Sequence, residues 1–250
     1  MERTDPPAAQ AGAESPGDGK PTDEVFAEAS ALELDKQPPA GPDNGFGRLW
    51  RKVHRIRLTG ADVSPVELIS TWKADFGAFW PGDNRFYGAI TGLAPGELAV
   101  ISVEMPGDTT LSTGVILVDA TADSFTLVTP KGHMLAGWLT FSAHRERDTT
   151  VAQVEMLIRA SDPLFEIGMV LLGHRRENHF WEQTLRNLAA YFNARTEPET
   201  RLTCEDRHYR WGNAINIVHN GAIRNGLIRL AALPRKVIGR LRSQSADNAA

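Results

Sequence analysis

Six stretches in the middle of this chain alternate apolar and polar residues, and only turn-like connections separate them. They cover 85–90, 98–105, 113–119, 124–129, 137–144 and 149–159, joined through APGE, MPGD, TAD, PKGH and RERD. Connections this short force neighbouring strands to pair antiparallel. Ala99, Ile101, Val103 and Met105 alternate on one stretch, and Ala152, Val154, Met156 and Ile158 on another. Such a sheet buries one face and leaves the other polar. Whatever else the chain does, it must cover one side of a meander.

Helical periodicity on either side supplies the cover. Ahead of the meander, residues 51–60 read as a first strand with Val53, Ile56 and Leu58 as its apolar positions. Ser64, Pro65 and Glu67 then form a capping-box pattern, with Ser at N-cap and Pro at N1. Leu68, Trp72, Phe76 and Phe79 follow at spacings of four, four and three, on one helix face, and WPGDN ends that helix. After the meander, Asp162-Pro163 repeats the start signal for a long helix to about Ala194. Its stripe is Leu171, His174, Asn178, Trp181, Leu185, Leu188 and Phe192, and Gly173 is its weak point.

The ends of the chain differ from this body. Residues 1–45 hold ten acids and three bases among many Pro, Gly and Ala, a composition expected to stay disordered. Residues 208–250 hold seven Lys/Arg and one acid, Asp247. The body between them is nearly neutral, which argues against nucleic acid as a partner. The one cysteine, Cys204, rules out an intrachain disulfide and points to a reducing, cytoplasmic setting. The longest apolar run, 167–173, is too short to span a bilayer.

The order strand, helix, meander, long helix resembles the helix-grip fold of the START-like SRPBCC superfamily. SFTLVTPKGHMLAGWLTFSA, VAQVEMLIRASDPLFEIG and GHRRENHFWEQTLRNLAAYF also resemble an uncharacterised bacterial branch of it. The expected fold class is therefore α+β: a curved antiparallel sheet around a long C-terminal helix over 46–195, with a C-terminal extension at 196–250. The resemblance implies an apolar cavity between sheet and helix and a small hydrophobic molecule or lipid as partner. It implies no reaction, because one fold hosts many functions.

Strand alternation and element order place specific residues around such a cavity. On the return strand 137–144, Leu139, Phe141 and Ala143 form the wholly apolar set and so the expected inner face, with Trp138 outside. His174, Asn178 and Trp181 would stand opposite, Trp72 and Phe76 would close one side, and His133 and Met134 would sit at the rim. For His174 and His133, a core or turn role stands beside this reading.

Catalytic signatures are lacking. His174 and His179 lie about 140° apart on a helix, which prevents a shared metal. The sequence contains no HExxH, CxxC, GxSxG, P-loop or dinucleotide fingerprint, and no cofactor is called for. A cyclase or hydrolase would have to use His133, His144 or His174 as acid or base. A third possibility lies in 222–242, whose apolar residues fall on one helix face. Arg224, Arg229, Arg235, Lys236, Arg240 and Arg242 fall on the other. Such a helix either covers its own domain or meets a partner or an anionic membrane surface.

Overall fold

The computed structural model describes residue 33 and residues 36–105 and 109–224. Eight strands form one antiparallel sheet: β1 (Leu49–Arg57), β2 (Arg85–Phe86), β3 (Leu98–Met105), β4 (Thr109–Ala120), β5 (Ser124–Val128), β6 (Leu135–Glu146), β7 (Thr149–Ala160) and β8 (Glu199–Asp206). Their order is β2-β3-β4-β5-β6-β7-β1-β8. The meander runs unbroken from β2 to β7, and β1 then pairs with β7 on one side and β8 on the other. The sheet is curved, and the long helix packs against it.

Both helix starts follow the capping chemistry read from the sequence. Ser64 Oγ accepts the N–H of Glu67 at 3.1 Å and opens α1 (Pro65–Ala74). Asp162 Oδ1 accepts the N–H groups of Leu164 and Phe165 at 2.8 and 3.0 Å and opens α2 (Pro163–Gly168). Leu68, Trp72, Phe76 and Phe79 are all buried, the last two on a 3₁₀ turn that continues α1.

The long helix departs from its expected stripe. A π turn, Met169–Gly173, joins α2 to α3 (His174–Tyr191). A π turn inserts a residue into the 3.6-residue period and rotates what precedes it. Leu171 consequently faces solvent at 70% exposure, and Met169 is buried instead. Beyond the insertion the stripe holds, with Trp181, Leu185 and Leu188 buried.

The ordered body also runs past both expected boundaries, 46 and 195. Ala40 and Pro42 are buried, and the Ala40 N–H donates to Thr129 O at 2.7 Å. The segment after TEPET becomes β8, paired with β1 through seven residues of register. Its polar, exposed sequence hides the strand because it lies at the sheet edge. A 3₁₀ helix, Trp211–His219, then crosses back to the β5–β6 turn, where the Gly221 N–H donates to Gly132 O at 3.0 Å. Gly132 has φ +90°, and a Cβ there would stand 2.8 Å from His219 O. Arg224 closes a helical turn by donating its N–H to Asn220 O. Arg229, Arg235, Lys236, Arg240 and Arg242 lie outside the described residues.

Candidate functional site

The space between sheet and long helix has two unlike ends. At one, rings meet rings. Phe125 and Phe141 stack at 4.6 Å between centroids, Phe76 meets Phe141 edge-on at 5.0 Å, and Trp72 meets it at 5.3 Å. Trp181 reaches Phe141 from α3 at 5.4 Å. Leu139, Phe141 and Ala143 point inward as alternation requires, and Trp138 stands outside, 44% exposed. The structure thus brings Trp72, Phe76, Leu139, Phe141 and Trp181 together. It brings them together as packed core, since rings at these separations leave no ligand-sized gap between them.

The other end is polar and is built on β1. Ile56 sets the inward phase of that strand, which turns Trp50, Lys52 and His54 toward α3 while Arg51, Arg55 and Arg57 pair with acids outside. Lys52, fully buried, donates to Glu177 at 2.6 Å and lies 3.4 Å from Asn178 Oδ1. His174 packs edge-on against Trp50 at 5.1 Å. Beside them opens a cleft of about 180 Å³, open mouth included and without enclosed room for a water, lined by Trp50, Arg159, Glu166, Met169 and His174 among others.

Burial dominates the electrostatics here. It holds the His54 and His174 imidazoles down to about 4, with the Lys52 ammonium adding to the effect, and it pushes the carboxyls of Glu166 and Glu177 up. The tautomer of His54 follows from its partners. Thr200 Oγ1 donates to Glu182 at 2.8 Å, so its lone pair takes the His54 Nδ1–H at 3.0 Å. The Nε2 of His54 is therefore a bare lone pair inside the protein.

A row of buried polar atoms in this region lacks a hydrogen-bond partner among the described residues: Trp50 Nε1, His54 Nε2, His174 Nδ1 and Glu177 Oε1, with Glu166 Oε1 and Arg159 Nε at the cleft. Each such atom costs roughly 1–3 kcal/mol if nothing satisfies it. Among the described residues, no group of three His, Cys, Asp or Glu side chains converges as a metal site.

Of the expected rim and handle residues, His174 and Asn178 belong to this polar end. His133 does not. It is buried within the β5–β6 turn, where its Nδ1 accepts the Leu135 N–H at 3.0 Å and Ser161 bonds its carbonyl. His144 lies on the outer face beside Arg55 and Glu146, which removes it as an interior acid or base. Hydrophobicity passes over Lys52 and His54, although counting back by twos from Ile56 lands on both; Glu177 lies on α3 and joins them through its tertiary contact with Lys52.

Sheet order, antiparallel pairing throughout and the helix against the curved sheet define a helix-grip α+β fold. No protein-family model matches the chain, and no curated protein matches it. Solved structures that align with it include the di-domain ARO/CYC StfQ from the steffimycin biosynthetic pathway, 11% identical over 58% of this chain and 51% of that one, at a TM-score of 0.45. A conserved protein from Geobacillus kaustophilus aligns at 10% identity over 60% and 99%, TM-score 0.42. Major latex-like protein 151 from Panax ginseng aligns at 9% over 58% and 99%, TM-score 0.40. This chain spans about half the length of StfQ. Similarities this distant carry no information on ligand or reaction.

Proposed function

We propose that this protein binds a small, largely apolar molecule with a neutral hydrogen-bonding head, at the polar end of the space between sheet and long helix. The observation that carries the reading is the row of unpartnered buried atoms at Trp50, His54, His174 and Glu177. Lys52 and Glu177 already neutralise one another, and both imidazoles are uncharged at neutral pH, so the site offers no net charge to a charged head. At the cleft it offers a donor at Trp50 Nε1 beside His174, whose neutral ring can accept at Nδ1, which suits a hydroxyl. The apolar body would enter along Met169, Leu135 and Ile158, the remaining wall of the cleft. Entry requires the π turn and the sheet to part, because the cleft holds no enclosed volume.

The test uses 2-naphthol, a hydroxyl on an apolar ring system, followed by its own fluorescence. The chain should bind it, and the double variant Trp50→Phe with His174→Leu should bind at least tenfold more weakly while melting cooperatively. Equal binding by parent and variant would remove this site as the head-group pocket.

The Glu182–Thr200–His54 relay favours a second reading, general-base chemistry at His54 Nε2. Under it, Thr200→Val would lower turnover of a hydroxyl-bearing substrate with little change in its affinity.

A further inference from the structure

The 3₁₀ helix Trp211–His219 sits on the protein upside down. Its asparagines face inward: Asn213 donates to Asp43 O and Gly45 O at 2.9 and 2.8 Å, and Asn216 to Asn44 O and Ser161 O at 2.7 and 3.0 Å. Asn220, just past its end, donates to Asp162 Oδ2 at 2.7 Å. Its apolar residues are left outside, with Trp211 at 72%, Ile215 at 67% and Val218 at 60% exposure. An amphipathic helix ordinarily does the reverse.

The anchoring bonds to Ser161 and Asp162 set this helix against the start of α2, which exposes a second apolar row through the π turn: Ile167, Val170 and Leu171. Two neighbouring elements thus turn their hydrophobic sides outward together, which solitary surface leucines do not do. The charge near them is mainly basic: Arg175 and Arg176 are exposed beside the π turn and Arg207 is exposed ahead of the 3₁₀ helix, while Arg210 is paired with Asp43 and the one acid of 163–176, Glu166, is buried. In sequence, 207–246 holds eight Lys/Arg and no acid.

We propose that this face docks on an anionic membrane surface. Apolar side chains would enter the interface while the arginines meet lipid phosphates and carboxylates. A second copy fits less well, since a twofold contact would bring the two basic rims together. The chain's own segment 225–242 fits less well for the same reason, with five further bases and no acid. Docking here does not span the bilayer. Among the described residues no helix is long and apolar enough to cross a membrane.

The experiment is flotation of the full chain with vesicles of phosphatidylcholine containing phosphatidylserine, against phosphatidylcholine alone. Binding is expected to the anionic vesicles only and to fall at high salt. Ile215→Asp, and separately Val170→Asp on the other element, should each weaken it at least tenfold with an unchanged melting temperature, both positions being exposed. Bromine-labelled lipid should quench the parent more than Trp211→Phe. A parent that stays unbound, or aspartate variants that float like the parent, would overturn the proposal. So would a parent that dimerises through this face and ignores vesicles, a dimer lost in Ile215→Asp.

Discussion

The two ends of the space under the long helix are made of the same elements and solve opposite problems. At the aromatic end, Trp72, Phe76, Phe125, Phe141 and Trp181 satisfy one another, and none is more than 7% exposed. At the polar end, β1 and α3 hold Lys52, Glu177 and two neutral imidazoles, with several of their polar atoms unpartnered. The difference separates what stabilises this fold from what the proposed binding would use. Rings that fill space contribute burial and leave nothing to bind. Unsatisfied groups cost stability and are tolerated where a ligand can repay them.

The largest effect should come from the aromatic end. Phe141→Ala removes the ring on which four others converge and should cost up to about 5 kcal/mol, read from urea denaturation. A loss under about 1 kcal/mol would mean that this end is loosely packed and could itself admit a ligand. Next, Lys52→Met strands the Glu177 carboxylate and should cost about 3 kcal/mol, the low end for a broken buried pair because Glu177 can take up a proton. Adding Glu177→Leu should restore most of that loss. If the single variant is as stable as the parent, water reaches the pair and the polar end is open.

The smallest effect at neutral pH, and the sharpest diagnostically, is acid sensitivity. His54, His133 and His174 are each held at about 4, below the ordinary 6.5. In the unfolded chain each takes up a proton as pH falls through 6.5, whereas the folded chain resists until about 4. The unfolded state therefore binds more protons in that window, so stability is full above 6.5 and declines toward 4. His54→Gln should reduce the slope of stability against pH between 6 and 4.5 by about one proton. A denaturation midpoint that stays flat across that window would show the imidazoles to be solvated.

Much of the frame was legible in the sequence. Strands β3 to β7 follow from period-two alternation and turn residues, and both helix starts from Ser64-Pro65 and Asp162-Pro163. The inward set on β6 followed from Leu139, Phe141 and Ala143. What escaped notice has physical causes. Lys52 and His54 occupy inward positions that a search for apolar residues passes over. The π insertion shifted the phase of Leu171, and periodicity cannot anticipate an extra residue in a turn. Strand β8 is an edge, with most of its side chains exposed, so nothing in its pattern marks it. The His133 turn contact depends on a neighbouring backbone, which spacing does not reveal.

The position of β1 also governs when the polar end can exist. The bonds that build it join distant segments, 125 residues apart for Lys52–Glu177 and 146 for His54–Thr200. The hairpins of the meander close over far shorter loops and can form early. Strand β1, made first, must wait for β7 and then β8, so its closure carries a larger loop entropy than any hairpin of the meander. On a ribosome the meander can pair while the rest of the chain is still being synthesised. The polar cluster assembles only after Thr200 has emerged, and under the binding proposed above a ligand would select finished chains over partial ones.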